Sequence, residues 1–196
     1  MDANACIIHA LNLGKVEGTP LHDYYCTSVR CFVTNCPRES ISIGTFPKVK
    51  DHSNKNITKA VVQLARKRGF GKEYYVMEKL KDIGTSNLAR LFSVLVEYPE
   101  TYTEDQIKEI ETFYSSIQKD IGTYTDPNKS SMPEQHDLEF FASAHNLEPE
   151  IVHIISDDAH FAGYVDEIAA SPYGLRVFPV KDLNRIMIDL KWPMPT

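Results

Sequence analysis

The run Ile151-Val-His-Ile-Ile155, closed by Ser156-Asp157-Asp158, constrains the fold more than any other stretch of the chain. A short segment this apolar and this rich in β-branched side chains fits a central strand of a parallel sheet, covered on both faces. Two adjacent acids directly after such a strand repel each other unless a cation or a hydrogen-bond network compensates them. Parallel pairing requires crossover connections, and ligands collect outside the carboxyl ends of the strands. The expectation is an α/β fold with a mainly parallel sheet, its chemistry placed at strand ends.

Periodicity along the rest of the chain supplies partners for that strand. Asp2 stands where it can cap a helix running through Ala5, Ile7 and Ile8 toward Gly14. Gly14, Gly18 and Pro20 mark a loop, after which Tyr25, Thr27, Val29, Cys31 and Val33 alternate as in a strand. Thr34 or Asn35 then caps a short helix with Pro37 in its first turn, which puts Glu39 just past a strand's carboxyl end. Residues 41–56 read as irregular.

A helical region follows over about 57–120. Ile57, Val61, Leu64 and Ala65 give one apolar stripe; Leu88, Leu91, Phe92, Leu95 and Val96 give a second; Ile107, Ile110, Tyr114 and Ile117 give a third, opened by a Thr103/Gln106 capping box. Gly122 to Ser131 is rich in turn residues, and Ser131, Met132 and Pro133 open a helix carrying His136, Asp137, Phe140, Phe141 and Ala144. Gly174 to Pro179 reads as another strand and Val180 to Asp189 as a closing helix. The 196 residues, without an internal repeat, fit a single domain, 1–196, with the 57–120 region as a helical insertion.

No apolar stretch approaches the roughly 18 residues of a membrane span, so a membrane role is not expected. Without a basic segment leading into an apolar run at the start, the expected location is the cytoplasm, and the four cysteines are expected as thiols. Cys26, Cys31 and Cys36 recur every five residues, a spacing that matches no zinc knuckle. The seven histidines show no paired zinc spacing either and are expected as surface or packing residues. A net charge of −6 argues against a protein that grips nucleic acid through a wholly positive surface. It leaves room for a metal-dependent site, which needs surplus carboxylates and whose ions reverse the local field.

Glu39 and Asp158 are each expected at a strand's carboxyl end, Asp2 at a helix start, and Asp137 on the helix that feeds the next strand. Four acids can then meet in one crevice. Oxygen ligands in that number suit Mg²⁺ or Mn²⁺, and two such ions about 4 Å apart activate water and stabilise the leaving oxygen in phosphodiester hydrolysis.

At these residues the chain resembles the PIN-domain ribonucleases. Asp2-Ala-Asn4-Ala-Cys-Ile-Ile is similar to the family's opening D-[ST]-N motif, and Val33-Thr-Asn-Cys-Pro-Arg-Glu39 resembles its turn ending in Glu. His136-Asp-Leu-Glu-Phe-Phe-Ala-Ser-Ala144 resembles the segment with the third acid, and Ile154-Ile-Ser-Asp-Asp-Ala-His-Phe161 the closing acidic motif. The resemblance implies a PIN-like three-layer sandwich and a metal-dependent endoribonuclease with Asp2, Glu39, Asp137 and Asp158 as catalytic metal ligands and Asp157 as a further one. It implies RNA as substrate, with Asn4 and Ser156 as substrate-binding residues beside the ligands. An antitoxin protein and a second copy of the chain are further partners it admits. His160 stands where many members carry another acid, which implies a weaker second metal position. The family's hydrophobic strand before its first acid is reduced here to Met1: either the sequence starts inside that strand or the strand is lost, and in the second case the resemblance implies a loosely held Asp2.

Arg66-Lys67-Arg68 and Lys72, with Phe70, Tyr74 and Tyr75 alongside, combine cations and rings in the manner of a single-strand track, or of an ordinary solvated helix end. Taken singly, Asp2, Glu39 and Asp137 are equally consistent with helix caps and dipole partners. The rival to the nuclease is a degenerate PIN domain that binds RNA or protein without cutting.

Overall fold

A computed structural model describes residues 1–11, 20–67, 69, 74–117, 132–148 and 152–192. The helices are α1 (Ala3–Ala10), α2 (Pro20–Asn35), α3 (Pro47–Lys67), α4 (Tyr74–Phe92), α5 (Glu104–Ser116), α6 (Gln135–His145), α7 (Ala159–Ala162), α8 (Val165–Ala170) and α9 (Leu183–Asp189). The strands are β1 (Gly44–Thr45), β2 (Val96–Glu97), β3 (Val152–Ser156) and β4 (Leu175–Pro179). The protein is α/β, with helices carrying most of the described residues and two small parallel sheets, β1 with β2 and β3 with β4.

The apolar run behaves as expected from Val152 to Ser156; Ile151 lies outside the described residues. β3 pairs in parallel with β4 from Val152↔Leu175 to Ser156↔Pro179, and α7 and α8 form the crossover. β1 and β2 are likewise joined through α3 and α4. The first two residues tie the two sheets together. The Met1 amine donates to Gly44 O at 2.5 Å, Thr45 Oγ1 donates to Met1 O at 3.2 Å, and Asp2 N–H donates to Ile155 O at 3.0 Å. An apolar cavity of about 520 Å³ lies beside Met1, walled by Phe32, Ile43, Phe140, Ile155, Phe178 and Trp192.

The expected strand over residues 25–33 is instead the second half of α2. Cys26, Val29, Phe32, Val33 and Cys36 are buried while Thr27, Arg30 and Thr34 are exposed, so the three-and-four spacing wins over the alternation that Tyr25, Thr27, Val29, Cys31 and Val33 also display. Asn35 ends this helix rather than capping a new one, and residues 37–40 form a turn closed by Ser40 N–H on Pro37 O. Residues 41–56, expected as irregular, hold β1 and the first two turns and more of α3. Pro47 starts that helix, where its fixed φ and missing N–H cost nothing. Val96, expected on a helix, lies in β2, so the helical region runs from 47 to 116 and is broken by a strand. The Gly14/Gly18 loop and the Gly122 to Ser131 connection lie outside the described residues.

The remaining helices match their periodicity. α3 buries Val49, Ser53, Ile57, Val61 and Ala65 against α4, where a Cβ on Gly84 would stand 2.7 Å from Val61 Cγ2; the two helices pack closely because that position has no side chain. The Thr103/Gln106 capping box opens α5. Tyr114 meets Phe141 and Tyr164 edge-to-face and Phe141 stacks on Phe161, which makes an aromatic core, and the buried Tyr114 hydroxyl donates to His160 O at 2.8 Å. All four cysteines are free thiols, with Cys6, Cys26 and Cys36 buried and Cys31 half-buried.

Candidate metal centre

Asp2, Asp137 and Asp158 meet at the carboxyl end of β3. Asp2 caps α1, its Oδ1 accepting from Ala3 N–H. Asp137 lies in the first turn of α6 and accepts from Glu134 N–H at 3.2 Å. Asp158 caps α7 and accepts from His160 N–H at 2.9 Å. Each carboxylate thus sits at a helix start, where unpaired N–H groups and the dipole favour an anion.

Polar side chains cross-link the three. Ser156, fully buried at the end of β3, donates to Asp2 Oδ2 at 2.6 Å and accepts from Asp158 N–H at 3.0 Å. Asn4 Nδ2 donates to Asp158 Oδ2 at 3.2 Å. His160, 1% exposed, places Nδ1 3.2 Å from Asp137 Oδ2 and 3.2 Å from Asp158 Oδ1. Both neighbours only accept, so Nδ1 carries the proton in this arrangement. His136 Nε2 lies 3.3 Å from Asp137 Oδ1; the groups paired with Asp137 among the described residues are imidazoles, which carry a charge only when protonated.

Burial of Asp2, 8% exposed, pushes its carboxyl up to about 6, and the charges of Asp137 and Asp158 add to the effect, against the Ser156 hydrogen bond. The expectation of a loosely held Asp2 is not met: backbone bonds and Ser156 fix it from both sides. Asp157 is half-buried and turned toward the charges of Lys181 and Asp182; burial raises its carboxyl, and it does not join the convergent ligand atoms.

Those convergent atoms belong to Asp137, Asp158 and His160 and lie within 4.8 Å of one another; opposite ligands of one ion with bonds of about 2.1 Å stand at most about 4.2 Å apart, so the group closes onto an ion with a shift of a few tenths of an ångström. Two carboxylates and an imidazole fit Mn²⁺ better than Mg²⁺, which prefers an all-oxygen shell. Glu39 is not part of this group. It is exposed on the turn after α2, because the segment before it is helical and never delivers it to a strand end.

Applied to the observed strands, the same strand-end logic points elsewhere. β1 leads into α3, whose first turns bring Lys48, Asp51 and His52 to a cavity of about 230 Å³ that Asp2, His136 and Ser143 also line. The His52 ring stacks on His136 at 4.9 Å. Lys48 Nζ donates to Glu139 at 2.7 Å and to Tyr102 Oη at 2.6 Å, which holds its ammonium above the usual lysine range. Burial raises the Glu139 carboxyl, but hydrogen bonds from Lys48 and Gln135 outweigh this and leave it below the usual value. Reading residues 41–56 as irregular concealed these side chains. Histidine-to-histidine spacing does not report His160 and His136 as possible ligands, because both partner carboxylates here.

Arg66 and Lys67 are exposed at the end of α3, away from the cluster; Arg68, Phe70 and Lys72 lie outside the described residues. No protein-family model matches this chain, and neither a curated protein nor a solved structure does.

Proposed function

We propose that the protein is a divalent-metal-dependent endoribonuclease, built as a single PIN-like three-layer sandwich with a helical insertion, that hydrolyses RNA phosphodiester bonds at the Asp2, Asp137 and Asp158 cluster. The observation that carries this reading is the meeting of Asp2 and Asp158, far apart in the sequence, on one buried Ser156 hydroxyl at the end of a parallel strand. Three carboxylates are costly to hold in a site this enclosed, and a cation is what makes the arrangement favourable.

Asp137, Asp158 and His160 would hold Mn²⁺, with Mg²⁺ as the weaker alternative, and Asp2 would orient water or a second ion through its free carboxylate electrons. The bound ion supplies Lewis acidity toward a phosphoryl oxygen and lowers the proton affinity of water. Asn4 and Ser156 keep Asp158 and Asp2 in orientation. His160 can ligate through Nδ1 only by moving its proton to the other ring nitrogen, so ligation and its present hydrogen bonds exclude one another.

Calorimetric titration with Mn²⁺, followed by cleavage of a labelled RNA with and without EDTA, tests the reading. Mn²⁺ binding and EDTA-sensitive cleavage are expected; cleavage that persists in EDTA would sink it. One observation favours the non-catalytic alternative, a module that binds RNA or protein. The His160 imidazole already sits between Asp137 and Asp158 and, when protonated, compensates them without a metal. Absence of Mn²⁺ binding would support that alternative.

A further inference from the structure

The chain totals −6, yet α3 alone carries Lys48, Lys50, Lys55, Lys59, Arg66 and Lys67 against the single acid Asp51. Its net charge is therefore +5, and the other residues sum to −11. The cations are ordered. At 100° per residue, the cations Lys48, Lys55, Lys59 and Arg66, with the polar His52 imidazole among them, fall within an arc of about 60°, opposite the buried stripe of Val49, Ser53, Ile57, Val61 and Ala65. All five are exposed, and Lys55, Lys59 and Arg66 have no ion-pair partner among the described residues. The stripe begins at the candidate metal centre, since Lys48, His52 and Lys55 line the cavity shared with Asp2, and His52 stacks on His136, the neighbour of Asp137.

At the far end, the chain's next helix opens with Tyr74 and Tyr75, 79% and 78% exposed. Two rings left in water at the start of a helix are poor packing and good stacking surfaces. From Lys48 to Arg66 the line measures about 27 Å along the helix axis.

We propose that this face of α3 is a track for single-stranded RNA, its cations following consecutive phosphates from Arg66 down to Lys48 and delivering the strand to the carboxylates. A single line of cations suits one strand; a duplex presents two backbones across a groove. The track rests on the nuclease reading for where the strand leads, though not for whether it binds. The other residues sum to −11, which disfavours a polyanion on the rest of the chain and favours this line.

The test uses the full chain with a fluorescent twelve-nucleotide oligouridine in EDTA, so that binding is measured without cleavage. The double variant Lys55→Glu/Lys59→Glu should bind at least about tenfold more weakly, and its log Kd against log salt slope should fall by about 1.4, at about 0.7 per lost phosphate contact. Lys108→Glu, an exposed charge reversal on α5, should change neither. Oligomers shorter than about four nucleotides should lose affinity steeply. Equal affinity in wild type and double variant, equal loss in Lys108→Glu, or competition by polyglutamate as strong as by oligouridine would each overturn the track. If the double variant loses binding but wild type with Mn²⁺ never cuts, the track stands and the nuclease reading falls. If wild type cuts and the double variant binds and cuts equally well, the reverse holds.

Discussion

Ser156 Oγ donates a 2.6 Å hydrogen bond to Asp2 Oδ2 across 154 positions of sequence, and in the same buried spot accepts from Asp158 N–H. One hydroxyl thus sets the relative position of two carboxylates that stand far apart in the sequence.

Ser156→Ala removes the donor that partly offsets Asp2's burial, so the Asp2 carboxyl should move still further above about 6. Mn²⁺ affinity at neutral pH should drop about tenfold to a hundredfold, the usual cost of losing a residue that supports ligands. Ser156→Thr, which keeps the hydroxyl, should restore most of it. Calorimetric titration of the three proteins checks the order.

Asp137→Asn and Glu39→Gln separate the assembled cluster from the acid it leaves out. The first should lower RNA cleavage by more than about a hundredfold, beyond what supporting residues cost, with the thermal transition retained. Glu39→Gln, altered on an exposed turn, should keep cleavage within about twofold. A Glu39→Gln variant as inactive as Asp137→Asn would show that the turn closes onto the cluster when RNA binds.

Two buried groups tilt stability against pH in opposite senses in metal-free protein. Asp2 titrates at about 6 when folded against 3.8 when unfolded; the folded state holds more protons between these values, so Asp2 costs stability as pH rises through that window. His9, held at about 4 by burial and then by Arg30, and with an unpartnered buried Nδ1, is the reverse. The unfolded chain takes up a proton below 6.5 that the folded chain refuses, so stability is lost as pH falls from 6.5 to 4. Each effect amounts to about 3 kcal/mol at most. Relative to wild type, Asp2→Asn should therefore gain stability toward pH 6.5, and His9→Gln toward pH 4. Thermal melts at half-unit pH steps in EDTA check both signs.

Tyr114→Phe leaves the aromatic packing in place and strips the hydrogen bond to His160 O. A loss of about 1 to 3 kcal/mol is expected in urea unfolding, as for a buried acceptor left without its donor. Because α7 carries both Asp158 at its cap and His160, Mn²⁺ affinity should fall as well. Unchanged metal affinity would mean that α7 is positioned by Phe161 and Tyr164 alone.

The part of this site that was legible in the sequence is the part set by local chemistry. The apolar run into Ser156 makes a strand by its own composition, and Asp2 and Asp158 cap helices because Asp accepts from nearby N–H groups. Glu39 was misplaced for a different reason. Residues 25–36 satisfy a strand's alternation and a helix's three-and-four spacing at once, and only the burial of Cys26, Val29, Phe32 and Val33 against the rest of the protein decides between them. The start of α3 stayed hidden because Gly44 and Pro47, read as breakers, act here as a close-packed strand residue and a helix initiator. That single misreading also concealed Lys48, His52 and Lys55. His160 was visible as a residue, but its role depends on Asp137, 23 positions away, and no local spacing reports such a pairing.

The bond from the Met1 amine to Gly44 O, beside the 520 Å³ cavity, has a practical meaning for anyone preparing the protein. Peptide fused ahead of Met1 starts inside the molecule instead of on its surface, one residue from Asp2. It exchanges a desolvated amino group for an amide beside the cavity that Ile43 and Ile155 line. An amino-terminal affinity tag replaces this contact one residue from the candidate metal centre, so tagged and tag-free preparations belong in any titration as two different samples.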